Sequence, residues 1–537
     1  MAQNEKQDKQ DKQETFYRKS SGLARTISGR DSLFANLTFI APIVIPIFGI
    51  LAAGVFQGGN LLLSVPIVLV PAVAVALIYM LMSATMPRSG GEYIWIGRII
   101  NPTVGFMVNF YITLVTLSYL GSGGAFMVTT NLAPMLIGLQ ATVGAPFGSV
   151  LSFVTTPNVS FAIGVLSLLV ILLMIRGTRT AFRFILITVI LSFVEIALIV
   201  IAFWVGGSGS FVSHFNAYSG MNYTGVISTA TKGGYNFGFS SVATVFAGIY
   251  LLISFTGFNS NAYFGGEVKQ AAKFKTQAVA MLGSVAIYGV LAIIFFYTLY
   301  TVMGYNFFSS LAYLFTSGNP AYTIPALPVP QLMAFPYTIP NAELVLITGV
   351  LGMVFQLGFL LVIAFVASRN IFAWSFDRVI PAKFSDVSRR YSSPYMAIIL
   401  AFIIGVIYLV LYDYTTITAY FAYASFGFAV SWIVVGLAGV LLPYRRKDLF
   451  DTAPSFVKRK FLGIPAVAVI GLVAMISSGW LAVGSLDPAV VGTINSTYVL
   501  FIIVLLVVPI IIYAVSYGYQ RRRGVPVDVA HKELPPE

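Results

Sequence analysis

Between residues 33 and 518 the chain alternates apolar runs of about twenty residues with short segments that hold almost all of its positive charge. Roughly twenty apolar residues in helical form cross the hydrocarbon of a bilayer, and nothing soluble needs so many of them. Twelve such runs are expected, near 33–56, 61–86, 103–133, 159–176, 181–205, 242–264, 276–303, 343–368, 394–412, 416–442, 463–485 and 497–518. Charged residues make up only 9% of the 537 residues, against about a quarter in soluble domains. The expected fold class is therefore an all-α polytopic membrane protein with twelve transmembrane helices.

Lysine and arginine orient the spans, because they gather on the cytoplasmic side. With both termini inside, 30 of the 31 Lys and Arg residues fall on inner segments, and Lys232 alone falls outside. The net charge of +13 thus belongs to a cytoplasmic face beside membrane lipid, and no nucleic-acid motif accompanies it. Residues 1–32 are polar and low in complexity, and read as a cytoplasmic disordered tail without a cleavable leader. Residues 519–537 form the second cytoplasmic tail. The chain has no cysteine, and its two histidines, His214 and His531, lie outside the spans. A metal or redox cofactor and an intramembrane catalytic cluster have no residues to build them, so neither an enzyme nor a cofactor is expected.

The first span, NLTFIAPIVIPIFGILAAG, carries Pro42 and Pro46 near its middle. Pro42 leaves the carbonyl of Thr38 without its helical donor, and in lipid such a group must face protein, a cavity or a ligand. The sixth span reads VFAGIYLLISFTGFNSNAYFGGEVKQAAK, with Ser254-Phe255-Thr256-Gly257 where aliphatic residues would be expected. If the first ten spans form two sets of five, over 33–205 and 242–442, these interruptions occupy corresponding positions. That arrangement points to a transporter built of two inverted repeats, with a further pair of helices over 463–518. The long segments 207–240 and 304–342 are expected as ordered surface loops or as caps over an outer cavity.

Three further stretches carry a resemblance. MPRSGGEYIWIGRIINPTVGF, SFTGFNSNAYFGGEVKQAAK and ASRNIFAWSFDRVIPAKFSDVSRRYSSP, with the lead RDSLFANLTFIAP, resemble motifs of the amino acid–polyamine–organocation superfamily. They appear in the family's order over residues 22–412. The resemblance implies a leucine-transporter-type fold and secondary transport of amino acids by alternating access in the cell membrane. It places a substrate against Ala41, Pro42, Ile43 and Val44 in one break and Ser254, Phe255, Thr256 and Gly257 in the other, with Phe255 as a gating aromatic. Loose N–H groups at Ile43 and Val44 suit a carboxylate, and carbonyls near Ser254–Gly257 suit an ammonium. Departures from the family pattern are Pro42 where glycines are common, Asn259 where many relatives carry an acid, and Arg378 after Asp377.

No phosphate-binding loop for ATP occurs, so coupling is to an ion gradient, to an exchanged solute, or to nothing. Glu195 is the one ionisable group well inside an apolar span and is the candidate for proton coupling. The span-eight run LLVIAFVA lacks the hydroxyls that ligate sodium in sodium-coupled relatives, which favours protons. Asn109, Thr113 and Ser118 are polar candidates in span three. Arg88, Glu92, Glu267, Arg369 and Asp377 stand at the cytoplasmic ends of spans, as gate ion pairs or as anchors. Alternatives are a transporter of polyamines or other small amines, an amino-acid exchanger, a transporter-like nutrient sensor and a channel.

Overall fold

The computed structural model describes residues 22–144, 147–415, 424–486, 496–524 and 533–534. Most of the N-terminal tail, His531 and the start of the tenth expected span lie outside the described residues.

The chain enters its first span through a capping box. The Ser28 side chain accepts from Asp31 N–H, and the Asp31 carboxylate accepts from Ser28 N–H, satisfying donors that a helix start leaves open. Helix α1 (Gly29–Ile40) therefore begins inside the stretch expected as tail, and Ile27 pairs with Val268 in an isolated bridge. The helix stops where Ala41 turns to φ +53° and Pro42 offers no N–H. A single 3-10 turn, Pro42–Val44, leads into α2 (Ile45–Val55).

There follow α3 (Leu61–Thr85), the short buried α4 (Glu92–Ile99), α5 (Pro102–Val143), α6 (Pro157–Arg176), α7 (Thr178–Tyr218) and α8 (Tyr223–Lys232). The second half comprises α9 (Ser241–Phe255), α10 (Phe274–Thr316), α11 (Pro330–Ala334), α12 (Ala342–Phe376), α13 (Tyr395–Tyr414) and α14 (Ala424–Arg445). Two more helices, α15 (Ala466–Gly484) and α16 (Ser496–Arg522), close the chain. The close approach of α15 to α14 is made possible by Gly436 and Gly471. A Cβ on Gly436 would sit 2.6 Å from the Gly471 carbonyl oxygen.

Among the described residues eleven helices are long and apolar enough to span a membrane, so the chain is a multi-pass membrane protein. Outward-pointing Val70, Leu166, Ile187, Ile407 and Val515 are exposed on these helices, as a lipid-facing surface requires. The expected sixth span is different. Only the 15 residues of α9 are α-helical, and the remainder, from Thr256 to Lys273, runs through turns and two short 3-10 turns, Ser260–Ala262 and Gly265–Glu267. The segment 207–240, expected as a loop, is largely helical: α7 bends at Gly207, with φ +69°, and continues to Tyr218 before α8. The 304–342 segment likewise holds the end of α10 and all of α11.

The basic segments meet at one end of the bundle. Arg446 donates to the Arg98 carbonyl (2.9 Å), Gln520 to the Arg378 carbonyl (3.2 Å), and Ser89 bridges Phe264. At the opposite end Tyr235, three residues beyond Lys232, donates to the Ala53 carbonyl (2.7 Å).

Candidate functional site

The two breaks face each other across a cavity of about 280 Å³. At its floor are Ile40 and Ala41 from the first break and Ser254 and Thr256 from the second. Its walls rise away from the basic end, through Val44 and Phe48 of the first span and Tyr250 of α9. Helix α5 contributes Tyr119, Ser122 and Phe126, α12 contributes Gln356 and Phe359, and α13 contributes Tyr412.

Four of the eight substrate-site candidates line this space: Ala41, Val44, Ser254 and Thr256. Pro42, Ile43, Phe255 and Gly257 lie behind it and shape it. Pro42 and Ile43 form the buried 3-10 turn. Phe255 is buried against Tyr288 (ring centroids 3.8 Å apart) rather than over the cavity. Gly257 holds φ +109°, and a Cβ there would fall 2.0 Å from Phe39 Cδ1. Phe39 fills the space the missing side chain leaves, and itself lines the cavity.

One side chain stitches the breaks together. Asn36, fully buried on α1, donates to the carbonyls of Phe258 (2.6 Å) and Ala280 (3.0 Å) and to Asn261 Oδ1 (3.0 Å). Its own oxygen accepts from the Ser260 hydroxyl (2.7 Å) and Asn261 N–H (3.0 Å). An unwound segment in a membrane protein needs such partners for its backbone, and here the other broken span supplies them.

The basic end below the cavity is sealed by buried charge. Glu267, at the end of the second unwound segment, accepts from Arg369 Nε (2.7 Å) and from the Thr178 hydroxyl (2.5 Å). The Arg369 guanidinium also lies 3.7 Å from the Phe365 ring centroid. Arg98 pairs with Asp377 at 2.7 Å, both side chains almost wholly buried. Glu92 accepts from Asn109 Nδ2 (3.0 Å), and Asn109 Oδ1 accepts from Trp374 (2.7 Å). Burial pushes the Glu92 carboxyl up to about 7. Asn109 and Thr113, which pairs with Asn370 (2.9 Å), thus serve this seal. Ser118 bonds its own helix at the Val115 carbonyl.

Glu195 does not line the cavity. It is fully buried on α7, accepts from Gln331 Nε2 of α11 (2.8 Å), and packs beside Gly352 of α12. Its second carboxylate oxygen has no hydrogen-bond partner among the described residues. Asn259 lies elsewhere, beside Tyr79.

Sequence reasoning missed Tyr119, Ser122, Gln356, Phe359 and Tyr412. These are ordinary residues on unbroken helices, and only the packing of α5, α12 and α13 around the breaks selects them.

A comparison with curated proteins finds no significant match. The family model described as amino acid permease matches residues 33–515. With that match over a chain of membrane-spanning helices, the protein belongs to the amino acid permease family, within the amino acid–polyamine–organocation transporters.

Proposed function

We propose that the protein is a proton-coupled secondary transporter that carries amino acids across the cell membrane by alternating access. The observation that carries this reading is the cavity where the two broken spans meet, walled away from the basic end and closed toward it. A site between two discontinuous helices, with one end shut, is the geometry alternating access requires. On this reading residues 33–205 and 242–442 are the inverted five-helix repeats, and the basic end, with both termini, is cytoplasmic. The substrate's ammonium and carboxylate sit at the floor, against the backbone around Ala41 and Ser254–Thr256; the Val44 N–H is taken by the Ala41 carbonyl (2.9 Å).

Glu195 is the proton carrier. Its charged form is costly in this setting, and one oxygen is free to take the proton while the other is held by Gln331. Since α11 supplies that partner, proton uptake at Glu195 is tied to how α11 sits against α7. The test is uptake of a labelled amino acid by purified protein in liposomes, with and without an inward proton gradient. Accumulation that rises with the gradient in the parent, and equilibration without accumulation in Glu195→Gln, is the expected result. A Glu195→Gln protein that still concentrates substrate with the gradient refutes the assignment of Glu195.

A further inference from the structure

The cavity walls bear on which amino acid the protein takes, an inference that rests on the transport reading above. No Asp, Glu, Lys, Arg or His is among the residues lining the cavity. Glu195 and Glu267 lie off the cavity, bonded to Gln331 and Arg369, and Asp413, which follows the lining Tyr412 on α13, is not itself among the lining residues. A charged side chain on the substrate would find no counter-charge among the lining residues, and burying an unpaired charge is costly. A polyamine would bring at least two such charges.

The walls are instead built of rings. Phe39 meets Tyr119 and Phe359 edge to face, at 6.5 and 6.4 Å between centroids. Phe48 packs on Tyr250 at 6.2 Å, and Phe126 meets Tyr412 edge to face at 6.0 Å. These pairs come from five different spans, and each leaves ring surface on the cavity. Aromatic side chains favour offset and edge-to-face neighbours, so a further ring or a branched aliphatic group completes the set. The space itself, about 280 Å³, is many times the roughly 10–15 Å³ that one water needs. Glycine or alanine leaves most of it unfilled.

We propose that this cavity selects α-amino acids with a large, uncharged, apolar side chain, aromatic or branched aliphatic, and rejects cationic, anionic and very small ones. Selection then comes from ring surface covered by the side chain, while the zwitterionic end is held by the breaks whatever the side chain. Burying a phenyl group in place of a methyl is expected to favour phenylalanine over alanine by about 30-fold in apparent affinity.

The test is a competition and counterflow panel on the purified protein in liposomes, with phenylalanine, tryptophan, leucine, alanine, glycine, lysine, glutamate and putrescine. The first three are expected to be carried, with alanine about 30-fold weaker and the charged solutes inert. Transport of alanine, lysine or glutamate in preference to phenylalanine overturns the selectivity and leaves amino-acid transport standing. Failure of every amino acid in both modes, or transport of putrescine alone, overturns the amino-acid reading together with it. A second variant checks the cause: Ser122→Leu, which fills the cavity from α5, is expected to shift preference from tryptophan toward leucine and alanine. An unchanged rank order in a Ser122→Leu protein that still transports places the selectivity outside this cavity and refutes the proposal.

Discussion

The two broken spans arrive at the same cavity by opposite chemical means. In the first, a donor is removed: Pro42 cannot bond back to Thr38, and Ala41 is turned to φ +53°. In the second, a side chain is removed: Gly257 takes φ +109°, and the empty volume is filled by Phe39 from the first span. The breaks are therefore not independent repeats of one device. Each supplies what the other lacks, a ring in one direction and backbone carbonyls for Asn36 in the other.

That mutual dependence can be attacked most directly at Asn36. Asn36→Ala strands the Asn261 N–H and the Ser260 hydroxyl in a buried site and leaves the Phe258 carbonyl only the longer bond from Ser284 (3.4 Å). At about 1–3 kcal/mol for each unsatisfied group, a loss of about 5 kcal/mol is expected, read as a lower melting temperature in detergent and as loss of uptake. Normal melting in this variant would mean the breaks stand alone.

Next in size is Gly257→Ala, which combines a left-handed backbone with a clash at Phe39. About 4 kcal/mol is expected from backbone strain and overpacking together. The companion Phe39→Ala, added to Gly257→Ala, should recover part of it if the ring is the obstacle. Equal melting of the single and double variants would assign the cost to the backbone alone.

A third contrast concerns support. The segment after the second break is backed by Glu92, whose carboxyl meets the Tyr263 side chain, and by Gly90, whose N–H donates to the Tyr263 carbonyl. The first break has no titratable support of this kind among the contacts described. With its carboxyl raised by burial from an ordinary 4.5 to about 7, Glu92 binds more proton in the folded than in the unfolded chain between those pH values. Stability from this group is thus full below pH 4.5 and falls as pH rises through 7, by up to about 3 kcal/mol. Melting should drop between pH 5 and 8 in the parent and stay flatter in Glu92→Gln; parallel profiles would contradict this.

The smallest effect is expected at Ala41→Gly. Relieving an alanine from a left-handed conformation is worth about 1 kcal/mol, so this variant should melt slightly higher. A lower melting temperature would mean that the first break relies on the alanine methyl for packing.

The breaks were legible because proline and glycine act on the chain locally, and Pro42 and Ser254–Gly257 stand out against aliphatic neighbours. Span positions were legible for a related reason, since hydrocarbon imposes length and composition at once. What lay hidden depends on distance in sequence. Nothing local marks Asn36 as the partner of Phe258, or Gln356 and Tyr412 as neighbours across a cavity. Arg98 read as one more basic residue until Asp377 came to lie beside it. The helical character of 209–218 was hidden too, because Gly207 looks like a loop residue and serves as a bend inside a continuing helix.

The two ion pairs at the basic end have a consequence for the electrolyte around the protein. Exposed charges are screened over about 8 Å at physiological ionic strength, whereas buried pairs feel little of it. Glu267–Arg369 and Asp377–Arg98 are both shut off from solvent, so dissolved salt has no purchase on them. A latch of this kind holds equally in dilute and concentrated media, and it lets go only when helices move and water reaches the ions.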